Sequence, residues 1–444
     1  MVNRRGGNVN KKLRFVCPAI IIIASFSACA PPGAMPVGSP SPMPEQVTPF
    51  STDTLTSTST QTISPTIANT MTNSATLTNT SLPNGYTLVD WREPTEVITP
   101  ENMDRVERIG QLKFMNKVAP LDWSPKGSKL AVGSSSELFV MDSISFTQIY
   151  QFDSINPYRI VFSSDGKILQ IGLPYIDMTT GNIINKDRMD VPYPGTDIDF
   201  SPDGEYKINM GTDYGIISYL IKDLYDVSFG RQYADAMHVS ISKDSKLFAV
   251  NYRFLNYTEL WDPNTVRPIR KLELQGITAQ GKPRFSKNGS SIFFTGNGTW
   301  ENQKASFLQE WDYATGKPLD VQILPDTIMY YDFSMDLSPL SDTIIFGGFN
   351  GGIYIIKTHD CHAIKIGQSS YLSAILQTSF RPDGKMFATI ERDNHGEIDL
   401  WGIPDSGEAN NISTPTVTGT QSSCPKIPVI PESLTPEEGW QSAK

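Results

Sequence analysis

The sequence contains little cysteine or histidine and none of the common signatures of an enzyme. Only four Cys and four His occur among 444 residues. There is no Walker loop, no HExxH pair and no GxSxG nucleophile elbow. These absences exclude P-loop nucleotide hydrolysis, zincin-type proteolysis and nucleophile-elbow hydrolysis, so no local motif supports a catalytic function.

Positive charge is also scarce. The 37 Lys and Arg residues against 47 Asp and Glu give a formal net charge of -10. Residues 1–28 carry five positive and no negative charges, so the chain without them has a charge of -10 - 5 = -15. Nucleic acids and anionic lipids bind clustered Lys and Arg. We therefore expect no nucleic-acid partner, and the acidity suits solubility.

What the sequence does contain is a repeated five-residue turn, seen most clearly as FSPDG at Phe200–Gly204. Pro presets φ for a turn, Asp caps the turn through its side chain, and Gly accepts a positive φ. The motif therefore predicts a hairpin turn and not a catalytic loop. Its copies begin at Trp123, Phe162, Phe200, Ile241, Phe285, Leu337 and Phe380, with spacings of 39, 38, 41, 44, 52 and 43 residues.

This period, with apolar strand-like stretches between the turns, indicates four-stranded blades around an axis. Several strands end in a Trp, as in Glu259–Asp262, Gln309–Asp312 and Ile398–Trp401. In these features residues 108–404 resemble the WD40 family and its bacterial relatives with SPDG-type repeats. The resemblance implies an all-β, seven-bladed β-propeller. It does not imply an activity, because this fold hosts many unrelated functions.

The sequence also predicts how the ring closes. The segment Ile109–Phe114 precedes the first complete repeat, and the seventh repeat lacks an outer strand after Trp401. An N-terminal strand that completes the last blade would remove exposed sheet edges. Residues 87–107 form a lead-in segment, in which Thr99 and Pro100 predict the start of a short helix.

The N-terminus predicts the compartment. Five basic residues precede an apolar run from Phe15 to Phe26, and small residues then lead to Cys29. This pattern resembles a bacterial lipoprotein signal, which implies that residues 1–28 are a signal peptide and that Cys29 is lipidated. The protein would then be extracytoplasmic and attached to the cell envelope only through its lipid. A retained membrane anchor is the alternative, although the run is shorter than the roughly 20 residues of a spanning helix.

Two further segments flank the predicted propeller. Residues 29–86 are rich in Ser, Thr and Pro and too poor in bulky apolar residues to pack a core, so we expect a disordered tether. Residues 405–444 form a Pro-rich tail. In an oxidising compartment Cys361 and Cys424 could form a disulfide that pins this tail to the ring. The less favoured alternative is a soft-metal site at His359, Cys361 and His362; we expect no metal or cofactor.

Polar residues are predicted along the axis. Residues one and three positions before each motif aromatic share a face by strand alternation. From this set we select Asp197, Asp199, His238 and Arg284 as candidate channel residues. The charges either pair between neighbouring blades or form a ligand or catalytic site. The full set is Pro120/Asp122, Arg159/Val161, Asp197/Asp199, His238/Ser240, Lys282/Arg284, Ser334/Asp336 and Gln377/Ser379.

Aromatic residues are predicted on the loops of one face of the ring. Such side chains offer a large rigid area with a polar tip, which suits a protein partner or a glycan. The alternative is that they are single surface aromatics or pack under their loops. We therefore predict a monomeric binding scaffold, with a propeller hydrolase or lyase at the axial mouth as the alternative. The candidate face comprises Tyr175, Tyr193, Tyr252, Phe254, Tyr257, Trp300 and Tyr330.

Overall fold

A computed structural model describes a large part of the chain as β-strands. The described residues are 80–81, 85–155, 157, 159–171, 175–184, 197–210, 215–219, 227–229, 236–252, 255–274, 277–279, 281–300, 303–324, 334–358, 360–369, 373–393 and 395–405. The predicted signal, most of the tether and nearly all of the tail lie outside these ranges. No helix within them has the length and apolarity needed to cross a membrane.

Three N-terminal strands precede the repeats. They are β1 (Thr80–Ser81), β2 (Tyr86–Val89) and β3 (Glu107–Phe114). The next three sheets are β4 (Val118–Trp123), β5 (Lys129–Ser134), β6 (Glu137–Asp142) and β7 (Gln148–Asp153); β8 (Val161–Phe162), β9 (Ile168–Gln170), β10 (Tyr175–Asp177) and β11 (Ile183–Ile184); and β12 (Asp197–Phe200), β13 (Tyr206–Met210), β14 (Gly215–Tyr219) and β15 (Val227–Phe229).

The later sheets repeat this antiparallel order. They are β16 (Ala236–Ile241), β17 (Phe248–Tyr252), β18 (Tyr257–Asp262) and β19 (Arg267–Glu273); β20 (Ile277–Ala279), β21 (Arg284–Phe285), β22 (Ser291–Trp300), β23 (Gln303–Asp312) and β24 (Lys317–Ile323); β25 (Ser334–Leu337), β26 (Thr343–Gly347), β27 (Gly352–Lys357) and β28 (Asp360–Gln368); and β29 (Ile375–Phe380), β30 (Met386–Glu391) and β31 (Glu397–Gly402).

The repeated motif forms a tight turn between the first two strands of a sheet, as predicted. In the FSPDG copy the Gly204 N–H donates to the Ser201 carbonyl at 2.9 Å, and φ of Gly204 is +77°. The Ser201 hydroxyl donates to Asp203 Oδ1 at 2.6 Å, and Asp203 also accepts the Glu205 N–H. The degraded copy at Ile241 keeps the turn, with Ser245 at a φ of +60°.

Successive sheets pack face to face through apolar clusters. Leu138 and Val140 of β6 pack with Phe162 and Leu169 of the next sheet, and the other clusters likewise join neighbouring sheets. The first strands β4, β8, β12 and β16 lie side by side, as do β25, β29 and β4. This arrangement is a β-propeller, with the first strand of each sheet nearest the axis.

The ring closes through the N-terminal strand, which confirms that prediction. Strand β3 pairs antiparallel with β31, with Leu112 opposite Ile398 and Gln111 opposite Asp399. The last sheet continues outward, because β2 pairs with β3 and β1 with β2. The propeller sheet therefore includes residues that the sequence assigns to the lead-in and tether. Tyr86 explains the extension, since it is 3% exposed and its hydroxyl donates to the Phe146 carbonyl at 2.7 Å.

The predicted helix is shorter than expected. It is a single 3₁₀ turn at Met103–Arg105, preceded by Asn102 at the N-cap position. Thr99 lies before it, where its hydroxyl accepts the Glu101 N–H and its own N–H donates to Asn102 Oδ1 at 2.8 Å. Met103 packs with Ile98 in the core, so tertiary packing holds this segment.

Candidate functional site

A cavity of about 280 Å³ lies among the axial strands. Its wall agrees with the strand alternation in the sequence, since residues one and three positions before the turn aromatics line it. Of the fourteen predicted positions, eleven line the cavity: Pro120, Asp122, Arg159, Val161, Asp197, Asp199, Lys282, Arg284, Asp336, Gln377 and Ser379.

Four of the predicted wall positions form a compact group that we call the Asp197 cluster: Arg159, Asp197, His238 and Lys282. The Asp197 carboxylate is 2.7 Å from Arg159 Nη2, 3.4 Å from Lys282 Nζ and 3.5 Å from His238 Nδ1. It also accepts the backbone N–H of Val239 at 3.1 Å. Asp197 is 1% exposed, so its charge is neutralised inside the protein.

These contacts determine the protonation states of the cluster. Burial raises the pKa of Asp197, but attraction to Arg159 and Lys282 and the contact with His238 outweigh it and hold the pKa well below its usual range. Burial lowers the pKa of His238, and the two cations lower it further against the attraction of Asp197. At neutral pH Asp197 is ionised and His238 is neutral, so neither is suited to proton transfer near pH 7.

A second group lies one position before the turn aromatics, and we call Asp122, Asp199 and Asp336 the carboxylate layer. Each accepts the N–H of the turn aromatic, or its Ile equivalent, in the next sheet. The donors are Phe162 at 2.8 Å, Ile241 at 2.9 Å and Phe380 at 2.8 Å, respectively. These carboxylates therefore join neighbouring axial strands. This agrees with the alternative in which polar residues of the axis have partners in neighbouring blades.

Asp122 differs from the Asp197 cluster in its acidity. Burial raises the pKa of Asp122 to about 7, against the Phe162 N–H and the charge of Lys282, while Asp199 adds repulsion. Its carboxyl group can therefore gain or lose a proton near neutral pH. Its value lies in the range suited to general acid–base chemistry.

The four selected channel residues do not form one cluster. Asp197 and His238 are in contact, whereas Asp199 lies in the carboxylate layer. Arg284 instead pairs with Asp336 at 3.5 Å and donates to the Met335 carbonyl at 3.3 Å. The selection omitted Arg159, Lys282, Asp122 and Asp336. The same two-residue period placed all four on the wall, but it did not show which of them meet across the axis.

The prediction of an exposed aromatic face needs correction at two positions. Tyr252 is 1% exposed and donates to Glu259 Oε2 at 2.7 Å, and Tyr257 is 9% exposed. Both belong to strands β17 and β18 and pack in the core between sheets, so neither can contact a partner. Tyr175 is half-buried at the start of β10, where its hydroxyl accepts a hydrogen bond from Lys207.

The remaining predicted site residues lie outside the described part of the chain. These are Cys29, Tyr193, Phe254, Tyr330 and Cys424, together with the side chains of Trp300 and Cys361. His359 is likewise outside it. Within the described residues, no group of three His, Cys, Asp or Glu side chains is placed to hold a metal ion.

Comparison with known proteins supports the fold. No family model matches the chain, and no curated protein matches it. Among solved structures it is similar to hydrazine synthase of Kuenenia stuttgartiensis, with a TM-score of 0.51 and 14% identity over 63% of this chain and 94% of that chain. In all, 1252 chains of solved structures match, and a fold so widely shared does not select an activity. The comparisons show that the chain has a β-propeller architecture.

Proposed function

We propose that this protein is a lipid-anchored, extracytoplasmic β-propeller of seven blades that acts as a binding scaffold at the bacterial cell envelope. The observation that carries the scaffold function is the closed ring, in which β3 completes the last sheet. Closure gives a rigid frame without open sheet edges at this junction. Loops on such a frame can differ in sequence and carry recognition without loss of the fold.

Seven turn motifs and seven successive sheets support the blade number. The junction between the fifth and sixth sheets is bridged by the Arg284–Asp336 ion pair. Phe293 and Leu308 of the fifth sheet also pack with Met335 and Ile344 of the sixth. Contacts of this kind between the fifth and sixth sheets are what a ring of seven blades requires.

The pattern of small residues before Cys29 supports the lipid anchor and the compartment. Its test is metabolic labelling of the full chain with a palmitate analogue, compared with the Cys29→Ala variant. Label in the wild type and its loss in the variant, with release from the membrane fraction, is the expected result. Equal labelling of both would contradict the anchor.

We place the partner surface on the loops and propose a protein or glycan as the partner. With Tyr252 and Tyr257 in the core, the remaining aromatic candidates are Tyr175, Tyr193, Phe254, Trp300 and Tyr330. The expected partner is recognised by aromatic contacts, which bury a large area at a small entropy cost.

In-cell crosslinking and affinity isolation test this surface with the double variant Phe254→Ala, Trp300→Ala. The matched control is Phe349→Ala, because Phe349 is an exposed aromatic, at 38%, on the β26–β27 hairpin. A specific partner captured by the wild type and the control, but not by the double variant, is the expected result. Capture by all three proteins would place the binding surface elsewhere.

A hydrolase or lyase at the axial mouth is the second candidate, and the specific observation in its favour is Asp122, with a pKa of about 7 in the cavity wall. A panel of chromogenic glycosides and esters, with uronic-acid polysaccharides for lyase activity, tests this candidate. Turnover that depends on a group titrating near pH 7 and is lost in Asp122→Asn would support it. Turnover that is unchanged in this variant would exclude Asp122 as the catalytic group.

A further inference from the structure

We propose that the axial cavity binds a small linear zwitterion, such as a short peptide or an ω-amino acid. The ligand carboxylate lies at Arg159 and Lys282, and its ammonium group lies at the carboxylate layer. This site goes beyond the envelope scaffold and depends neither on the lipid anchor nor on the loop partner.

Two levels of charge along the axis carry the proposal. The Asp197 cluster occupies positions three residues before the turn aromatics, and its side chains come from four successive repeats and meet at Asp197. The carboxylate layer occupies positions one residue before them and contacts the turn aromatics of the next sheets. Residues two positions apart on a strand are separated by about 6.6 Å along it. The backbone positions of the two charged levels are therefore about 6.6 Å apart along the axial strands.

At the level of the Asp197 cluster, the side chains that a ligand can reach are positively charged. The side chains of Arg159 and Lys282 are 28% and 19% exposed, whereas the Asp197 side chain is 2% exposed. Lys282 Nζ lies 3.4 Å from both Asp197 oxygens and 3.4 Å from the Ile198 carbonyl oxygen, and all three distances are longer than a strong charge-assisted hydrogen bond of about 2.8 Å. Lys282 therefore retains donor capacity for an incoming carboxylate.

The level of the carboxylate layer is negative. It contains three carboxylates and one guanidinium, and Arg284 pairs with Asp336. Among the described ion pairs none involves Asp122 or Asp199, although both line the cavity. Repulsion between these two carboxylates contributes to the raised pKa of Asp122. An ammonium group between them would relieve this repulsion and donate to the oxygen atoms.

The size of the cavity limits the ligand. A volume of about 280 Å³ is slightly below the roughly 300 Å³ at which small-molecule sites start, so the occupant is a small molecule. An α-amino acid carries both charges on one carbon and cannot reach both levels. A dipeptide or a longer ω-amino acid can, because its charges lie at opposite ends of an extended chain.

Isothermal titration of the full-length protein with a homologous series from glycine to ε-aminocaproate tests the charge spacing. We expect affinity to rise with chain length and to fall at least about tenfold when either end is blocked as the N-acetyl or amide derivative, as loss of a charge-assisted hydrogen bond implies. Titration with glycylglycine and alanylalanine distinguishes a peptide from an ω-amino acid. Tighter binding of the dipeptides than of the ω-amino acids indicates a peptide ligand. No binding by any compound, or equal binding of blocked forms, would overturn the proposal.

Two variants locate the bound ligand. Lys282→Met removes one partner of the ligand carboxylate, and Asp199→Asn removes a negative charge from the binding site of the ligand ammonium group. Each substitution should lower the affinity about tenfold. Lys287→Met is the matched control, because Lys287 pairs with Asp342 outside the cavity, and it should bind as the wild type does. If Lys282→Met fails to fold by circular dichroism, Asp199→Asn and the blocked ligands still decide. Unchanged affinity in a folded Lys282→Met or Asp199→Asn variant would contradict this placement.

Discussion

At the scale of single residues, the turn after the third strand repeats a left-handed backbone position. It is glycine at Gly181 and Gly316, with φ of +73° and +74°, but Phe146 and Val266 at +53° and +50° in two other sheets. In each case the residue's N–H donates to the carbonyl of an Asp four positions earlier. Glycine adopts this conformation without a steric cost, whereas a residue with a β-branched side chain adopts it only with steric strain.

Replacing Val266 with Gly should therefore stabilise the protein. Relief of the left-handed strain is worth about 1–2 kcal/mol, partly offset by the greater freedom of Gly in the unfolded chain and by lost packing of the half-buried side chain. We expect a net gain of up to about 1 kcal/mol in the free energy of unfolding, measured by urea denaturation. Val266→Ala is the control; an equal gain from Ala would show that backbone strain is not the cause.

Asp122 should make stability fall as the pH rises from about 4 to 7. The folded protein keeps the Asp122 proton up to its pKa of about 7, whereas the unfolded chain releases it near its ordinary value of about 3.9. The folded state thus binds more protons in this window, and stability decreases with pH. Asp122→Asn cannot titrate, so its stability relative to the wild type should increase between pH 5 and 8 in denaturation curves. A constant difference over that range would contradict the raised pKa.

At the scale of elements, the axial strands are joined by side chains that take the place of sheet hydrogen bonds. Gln377 of β29 accepts the Leu121 N–H at 3.1 Å and donates to the Leu121 carbonyl at 2.7 Å, which links the last sheet to β4. Asp122, Asp199 and Asp336 each accept a backbone N–H from the next sheet. The polar axis is therefore part of what holds the ring together.

Gln377→Met should consequently destabilise the junction between β29 and β4. It leaves the Leu121 N–H and carbonyl without these partners, and each such loss costs about 1–3 kcal/mol when buried. We expect a loss of roughly 2–4 kcal/mol in the free energy of unfolding. The matched control is Gln151→Met, because Gln151 is exposed on β7, and it should change stability by less than about 0.5 kcal/mol. Similar effects of both substitutions would argue against the axial link.

The closing strand β3 should be essential to the fold. A chain that begins after residue 114 lacks β1, β2 and β3, which exposes the edge of β31 and the apolar surface that Ile109 and Leu112 cover. We expect loss of cooperative thermal unfolding and aggregation, followed by calorimetry and light scattering. A chain that begins at residue 80 keeps all described strands and serves as the control. Cooperative unfolding of the shorter chain near the wild-type temperature would refute the role of β3.

At the scale of the whole molecule, the repeated turns should make the propeller sensitive to acid. Burial raises the pKa of Asp203, but the Ser201 hydroxyl and the Glu205 N–H outweigh it and lower the pKa. Turn residues in other sheets have lowered pKa values for similar reasons: Asp142, Asp165, Asp177, Asp244, Asp262 and Asp312.

Because the folded pKa of these groups lies below the unfolded value, their stabilising contribution is present above about pH 4 and is lost as the pH falls further. Asp122 and Asp399, with pKa values raised to about 7 and about 6, act in the opposite direction at higher pH. We expect the melting temperature to be highest in mildly acidic buffer and to fall steeply below pH 4. A melting temperature that rises steadily from pH 4 to 8 would contradict these opposing contributions.

The sequence by itself determined the elements and their order. The turn chemistry of the motif, complete with Pro, Asp and Gly at Phe200 and Phe380 and partial in the other copies, is a local property, and so is the alternation of apolar residues. Hairpins, strands and the axial face could therefore be predicted from the sequence. The closing role of Ile109–Phe114 was also predictable. This segment precedes the first complete repeat, and the seventh repeat lacks an outer strand, so the two were expected to pair.

Only the tertiary structure decided which side chains meet. Arg159, Asp197 and Lys282 are far apart in the sequence, and their contact depends on the radius of the ring and the register between sheets. For the same reason Tyr252 and Tyr257 could not be distinguished from exposed loop aromatics until the packing of β17 and β18 placed them in the core. Burial and charge proximity are properties of the assembled ring, and they determine that Asp197 is ionised while Asp122 titrates near neutral pH.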